Sequence, residues 1–208
     1  MSLILLKIFL LASVIAVQLP DLCSYLFLGR TSDIEPGKRT RRIKHYYALW
    51  IISYLLWSAI VVLYWINPLS VEWFGEIPAL DNTFVKAASI AMMCVGYYLL
   101  IVVSIFCMVK HIKPAKGKKI PLITSGVYGY ARHPIYLSVI IAVLGVFLIL
   151  PNLLSLIMAV CMIVSLYGVS LEEEKHLLKI YGQQYQKYQE NVGMLFPKLK
   201  LIYRGDKK

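Results

Sequence analysis

The sequence predicts an all-α protein, a polytopic membrane helix bundle of about five transmembrane helices with a C-terminal helix on the cytoplasmic side. Hydrophobic residues make up 59% and charged residues 16% of the 208 positions, whereas a soluble domain carries roughly 25% charged residues. The apolar residues come in blocks that approach or exceed the roughly 20 residues a helix needs to cross a bilayer. The basic residues lie mostly in the connections between these blocks, as in multi-pass membrane proteins.

Five apolar blocks define the predicted transmembrane helices. Pro20 and Asp21 interrupt the first block, and because proline removes a helix hydrogen bond we expect a bent helix there. This block lacks the charged start and small-residue cleavage site of a signal peptide, so we expect it to be retained. The predicted blocks are 3–28, 45–66, 83–109, 134–150 and 153–171.

The charges of the connections predict the orientation in the membrane. Residues 29–44 carry six Lys or Arg against two acids, and residues 110–133 carry six against none. Residues 67–82 carry three acids and no Lys or Arg. The positive-inside rule therefore places both basic connections and the C-terminal tail in the cytoplasm. Topology and contact with anionic membrane lipids account for the net charge of +11, and we expect no nucleic-acid partner.

We expect a single membrane domain over residues 1–208, with two N-terminal spans in 1–82 and a core in 83–208. The tail beyond Glu172 repeats apolar and tyrosine side chains at helical spacing, which predicts a helix that continues from the fifth span. We expect its tyrosines Tyr185 and Tyr188 mainly to pack, with a role in a site as the weaker alternative.

The four cysteines are spread through the apolar blocks, with neither CxxC spacing nor a neighbouring His. Disulfide frameworks and zinc sites both need closer grouping. We therefore expect small buried side chains and no metal.

The stretch "TSGVYGYARHPIYLS", residues 124–138, is the first polar motif. Its glycines permit turn geometries that other residues avoid, and Pro134 is suited to the first position of a helix. Arg132 and His133 then lie at the N-terminus of the fourth span, where backbone N–H groups and the helix dipole favour an anion.

The second motif is the run Glu172, Glu173 and Glu174, where the fifth span leaves the membrane. Only Pro151 and Asn152 separate the fourth and fifth spans, and this pair is a strong turn signal. The two spans should therefore form a tight antiparallel hairpin that brings both motifs to the same membrane surface. A ligand site and an Arg–Glu salt bridge that fixes the hairpin both remain open at this point.

The combination of "LITSGVYGYARHPIY" and "EEEKHLLKIYGQQYQKY" resembles the isoprenylcysteine carboxyl methyltransferases and their phospholipid methyltransferase relatives, over roughly residues 83–198. The resemblance implies a membrane helix bundle that binds S-adenosylmethionine in a cytoplasm-facing pocket. It also implies methyl transfer to a lipid or to a prenylated or otherwise lipidated acceptor that enters from the bilayer.

The resemblance implies the cofactor contacts, and the chemistry of methyl transfer suggests the catalytic roles. Arg132 and Glu174 are the predicted catalytic residues: Arg132 would orient the acceptor or cap the pocket, and Glu174 would act as base for an amine acceptor. The predicted cofactor-binding residues are Leu122, Ile123, Tyr128, His133, Pro134, Ile135, Tyr136 and Glu173.

Two positions leave the acceptor open. Family members that methylate prenylated cysteine tend to carry an Arg where this chain has Val169, and a His where it has Ile120. A membrane reductase that uses NADPH is an alternative, although such enzymes usually continue the Arg-His motif differently. A non-enzymatic membrane scaffold is a second alternative, whereas the near absence of ionisable residues inside the spans argues against a transporter.

Overall fold

The computed structural model describes residues 3–23, 41–110 and 122–198. Within these ranges the chain forms six α-helices, joined in places by short 3-10 helices. The α-helices are α1 (Leu3–Cys23), α2 (Arg41–Ile66), α3 (Thr83–Lys110), α4 (Pro134–Ile149), α5 (Leu153–Tyr181) and α6 (Gln183–Asn191). The 3-10 helices are Pro68–Phe74, Pro78–Leu80 and Gly126–Gly129.

Each of the five predicted apolar blocks coincides in large part with one of the helices α1 to α5, although α2, α3 and α5 extend beyond their blocks. Three helical segments among the described residues are long and apolar enough to cross a membrane, namely Lys44–Ile66, Thr83–Phe106 and Leu153–Tyr181. The other two apolar helices are shorter, Leu6–Ile15 and Pro134–Ile149. The predicted all-α, multi-pass membrane bundle is therefore confirmed, whereas the bend at Pro20 and the orientation in the membrane stay predictions. Residues 24–28 of the first block lie outside the described residues.

The predicted hairpin between α4 and α5 is confirmed. Asn152 caps α5, because its side chain accepts a hydrogen bond from the Ser155 amide at 2.9 Å while the Ser155 hydroxyl accepts one from the Asn152 amide at 3.2 Å. Such a reciprocal cap satisfies helix-terminal N–H groups that would otherwise lack partners. It starts α5 directly after α4 ends, so the two helices run side by side in opposite directions.

Helix α4 lies at the centre of the bundle, packed against α3 and α5, while α2 packs against α5. Small residues allow α3 and α4 to approach closely: a Cβ on Gly96 would lie 2.8 Å from the Cβ of Ala142. Close packing through small residues is a common way for membrane helices to associate. This packing fixes where the first residues of α4 lie.

Helix α5 continues well beyond the predicted membrane block, to Tyr181, and then breaks at Gly182. Gly182 has a positive φ of 54°, which glycine adopts readily and other residues rarely do. The break turns α6 so that Tyr185 and Tyr188 become buried, together with Val192. The predicted tail helix and the packing of its tyrosines are thus confirmed.

Candidate active site

The hairpin brings the start of α4 and the polar end of α5 together. The Nε atom of Arg132 donates to Oε1 of Glu174 at 2.6 Å, and the two side chains are only 9% and 11% exposed. The salt bridge that sequence reasoning left as an alternative is therefore present. Being buried, it depends on further hydrogen bonds to offset the loss of hydration of both charges.

Those further hydrogen bonds come from α6 and the segment that follows it. The second carboxylate oxygen of Glu174, Oε2, accepts from Nε2 of Gln189 at 2.9 Å. Nη1 of Arg132 donates to the carbonyl oxygen of Gln189 at 3.1 Å and also to that of Val192. Both oxygens of Glu174 are therefore engaged, and Arg132 is tied to the C-terminal part of the chain.

Main-chain hydrogen bonds also hold the residues that precede α4. The Arg132 amide donates to the carbonyl of Gly193 at 2.9 Å, and the His133 amide donates to that of Met194 at 3.0 Å. Ala131 and Gly193 form an isolated parallel bridge beside these bonds. The residues that begin α4 are thus held by the C-terminal segment as well as by their own helix.

His133 lies between the two adjacent glutamates and is 7% exposed. Its Nδ1 is 3.5 Å from Oε2 of Glu173, and its Nε2 is 3.4 Å from Oε1 of Glu174. Burial lowers the pKa of His133, but the two carboxylates outweigh burial, so this pKa lies above its ordinary value of 6.5. The Nε2 contact falls short of hydrogen-bond geometry, and within the described residues this buried atom has no hydrogen-bond partner.

Glu173 faces α4 rather than α6. Its Oε1 accepts from the Tyr136 hydroxyl at 2.8 Å, and its side chain is 29% exposed. The rings of Tyr136 and His133 are stacked, with centroids 5.5 Å apart and planes only 4° from parallel. Glu173 is therefore oriented by a neighbour yet remains accessible.

A cavity of about 180 Å³ opens at this point. It is lined by six of the eight predicted cofactor-binding residues, together with Arg132 and Leu177. The lining residues are Tyr128, Arg132, His133, Pro134, Ile135, Tyr136, Glu173 and Leu177. The two sequence motifs thus form one concave, partly charged surface.

The remaining predicted site residues lie outside this cavity. Leu122 packs against the buried cluster of Tyr185, Tyr188 and Val192, and Ile123 is half-buried. Glu174 lies behind the cavity wall in its salt bridge. The assignments of individual residues as catalytic or cofactor-binding stay predictions.

The buried cluster of Tyr185, Tyr188 and Val192 holds the part of the cavity wall that Tyr128 forms. The Tyr188 hydroxyl donates to the carbonyl oxygen of Tyr128 at 2.6 Å. Burial raises the pKa of Tyr188 to about 12, so this hydroxyl keeps the proton that it donates. Tyr185 is 1% exposed, and within the described residues its buried hydroxyl has no hydrogen-bond partner.

Sequence reasoning missed Gln189 and the carbonyls of Gln189 and Val192. A glutamine in a polar tail carries no signal of its own, and backbone acceptors have none at all. The only usable signal was Gly182, because a glycine between two helical stretches often marks a change of direction.

Comparison with known proteins yields a consistent set of relatives. Residues 84–184 match the family model described as phospholipid methyltransferase. A protein-S-isoprenylcysteine O-methyltransferase of Schizosaccharomyces pombe is 28% identical over 116 residues, which cover 54% of this chain and 49% of that protein. The protein of the same name from Saccharomyces cerevisiae is 31% identical over 87 residues, which cover 41% of this chain and 36% of that protein.

A methanethiol S-methyltransferase of Pseudomonas deceptionensis is 37% identical over 92 residues, which cover 43% of this chain and 33% of that protein. The chain thus spans about half or less of the length of these curated relatives. Among solved structures, a eukaryotic intramembrane Ras methyltransferase, an isoprenylcysteine carboxyl methyltransferase, matches with a TM-score of 0.49 and 19% identity. That match covers 93% of this chain and 63% of the other.

Fold and site together define a multi-pass membrane protein with a partly charged cavity at one end of its helix bundle. Residues 84–184, just under half of the chain, match the phospholipid methyltransferase family, and the similar curated proteins include two isoprenylcysteine O-methyltransferases. The resemblance carried by the two motifs is thereby confirmed.

Proposed function

We propose that this protein is an integral membrane methyltransferase that uses S-adenosylmethionine and acts on a lipid or a lipid-bearing acceptor. The observation that carries the proposal is the cavity built jointly from the "ARHPIY" segment and Glu173. The names of the three curated relatives, all methyltransferases, support it.

The residues of the cavity fit such a cofactor. The ribose hydroxyls and the ammonium group of S-adenosylmethionine need a hydrogen-bond acceptor, and the accessible carboxylate of Glu173 is one. His133 and Tyr136 add further polar groups to the cavity lining. The volume of about 180 Å³ lies below the roughly 300–1,000 Å³ of typical small-molecule sites, so a cofactor of this size would extend beyond the cavity.

When bound, the cofactor supplies an electrophilic methyl group on a positively charged sulfur. The chain's contribution is then mainly alignment, since holding reactants in position is worth roughly 7–11 kcal/mol. We assign binding and orientation to Glu173, His133 and Tyr136. We assign Arg132 and Glu174 to holding the cavity wall, because Glu174 accepts hydrogen bonds on both oxygens and is a poor candidate for a base in this arrangement.

The acceptor proposal rests on where the cavity lies. It opens at the end of α4 remote from the Asn152 turn, beside helices long and apolar enough to cross a membrane. Ile135 and Leu177 add apolar surface to its lining. A hydrophobic methyl acceptor could reach this position from the bilayer. We place this end of the bundle on the cytoplasmic side because the basic connections adjoin it.

A competition between acceptors tests this part. Purified protein in lipid vesicles would be given a methyl-labelled cofactor with a prenylated cysteine, a phospholipid amine or a small water-soluble thiol. We expect transfer to a lipid-bearing acceptor to be fastest. Equal or faster transfer to the small thiol, the acceptor named for the Pseudomonas relative, would contradict a lipid acceptor while leaving methyl transfer intact.

A stability measurement tests the cofactor. A ligand that binds only the folded state raises the apparent unfolding temperature by mass action. We expect S-adenosylhomocysteine to raise that temperature in detergent and NADPH to leave it unchanged. Stabilisation by NADPH alone would favour the reductase alternative, and the absence of any effect from either ligand would favour the scaffold.

A further inference from the structure

Gln189 contacts both members of the buried salt bridge. Its side-chain Nε2 donates to Glu174 Oε2 at 2.9 Å, and its carbonyl oxygen accepts from Arg132 Nη1 at 3.1 Å. It lies in α6, beyond the stretch 84–184 that matches the family. One residue outside that match thus contacts both charged partners of the salt bridge.

The adjacent carboxylates of Glu173 and Glu174 in α5 have different partners. Successive helix positions are rotated by about 100°, so Glu173 and Glu174 point in different directions. Glu173 reaches Tyr136 and lines the cavity, whereas Glu174 reaches Arg132 and Gln189 behind it. Arg132 holds one oxygen of Glu174, and Gln189 holds the other.

Loss of the Gln189 amide would leave Glu174 Oε2 without its donor in a side chain that is 11% exposed. A buried carboxylate oxygen without a partner is costly, so the group would turn toward another donor. His133 Nε2 is 3.4 Å from Oε1 of the same carboxylate and lacks a hydrogen-bond partner among the described residues. Glu174 would therefore turn toward His133. The new contact would draw the His133 ring away from Glu173.

We infer that Gln189 is a positioning residue of the candidate active site, which holds Glu174 against Arg132 and so keeps His133 and Glu173 available to the cofactor. The inference rests on the proposed function, because it assigns those two side chains to cofactor binding.

The test compares Gln189→Met, which has similar length and no donor, with Gln186→Met, at an exposed position one helical turn earlier. Binding of S-adenosylhomocysteine to the full-length protein in detergent is measured by calorimetry. We expect about a tenfold weaker Kd in Gln189→Met, as for loss of a hydrogen bond to a charged group, and no change in Gln186→Met.

The pKa of His133, followed by NMR of labelled histidine, provides a second readout that a general loss of stability would not produce. Among the described residues the charged groups in contact with this ring are Glu173 and Glu174, and Arg132 pairs with Glu174 beside it. We expect this pKa to be higher in Gln189→Met than in the wild type, because Glu174 comes closer to the ring. Gln189→Lys retains a donor within reach of Glu174 and should bind S-adenosylhomocysteine within a few-fold of the wild type.

The outcomes separate the two proposals. If wild-type protein does not bind S-adenosylhomocysteine, the proposed function fails and this inference fails with it. If the wild type binds and Gln189→Met matches it in both Kd and His133 pKa, only the inference is overturned. Should Gln189→Met not fold, Gln189→Lys decides alone: wild-type-like binding supports the inference, and a tenfold loss overturns it.

Discussion

Arg132 and Glu174 are 42 positions apart in the sequence, yet their side chains form a buried salt bridge of 2.6 Å. The bridge connects the residue pair that begins α4 to the polar extension of α5. It therefore closes the helical hairpin at the end opposite its Asn152 turn and fixes the wall of the cavity in front of it.

Replacing Arg132 by Met should destabilise the fold strongly. The change would leave Glu174 buried without its cation and remove the donor to two carbonyls, and breaking a buried pair typically costs about 3–5 kcal/mol. The free energy of unfolding in detergent, without ligand, measures the effect. Lys175→Met is the matched control, because it breaks the pair of Glu172 with Lys175, whose side chain is 61% exposed, and should cost at most about 1 kcal/mol. Similar losses in the two variants would show that the buried pair contributes little.

The stabilising contribution of His133 should decrease as pH rises. Its pKa in the folded state lies above 6.5 because the carboxylates of Glu173 and Glu174 outweigh burial. A raised pKa means that the contribution is fully present below 6.5 and is lost as pH rises through the folded-state value. The measurement is the free energy of unfolding of the wild type and of His133→Gln over a pH series. We expect the difference between them to shrink toward high pH, and a difference that grows with pH would refute the assignment.

Tyr188→Phe should loosen the cavity wall formed by Tyr128. The variant loses only the hydroxyl that donates to the Tyr128 carbonyl at 2.6 Å, so we expect a loss of about 1 kcal/mol and weaker binding of S-adenosylhomocysteine. Tyr130→Phe is the control, since Tyr130 adjoins the same turn but is 67% exposed. Unfolding and calorimetry of both variants check the prediction, and equal behaviour would mean that the hydrogen bond does not hold the turn.

Much of the architecture could be predicted because hydrophobic blocks and a turn pair act locally. Pro151 and Asn152 between two apolar blocks leave the chain little choice but a hairpin. The similar lengths of blocks 134–150 and 153–171 then bring the segment that contains Arg132 close to the segment that contains Glu174. The same logic predicted that the tail would continue as a helix. The motif spacing then sufficed to indicate the family.

Separate roles for Glu173 and Glu174 were predicted, but the contacts that distinguish the two side chains could not be. Adjacent acids look equivalent in a sequence, and only the position of α6 shows that Glu174 is bound on both oxygens while Glu173 remains accessible. That position depends on the positive φ of Gly182 and on hydrogen bonds to backbone carbonyls. The sequence does not show which groups these carbonyls contact. For the same reason Arg132, expected to face a ligand, is found tied to the C-terminal segment as well.

The central claim is that the cavity between the two motifs binds the methyl donor through Glu173. Calorimetry with S-adenosylhomocysteine tests it most directly, using the wild type, Glu173→Gln and Glu190→Gln, the last at an exposed position in α6. Glu173→Gln removes a charge from an accessible side chain, so the variant should fold and bind at least about tenfold more weakly, while Glu190→Gln should bind like the wild type. Equal affinity in all three proteins, or no binding by the folded wild type, would contradict the claim.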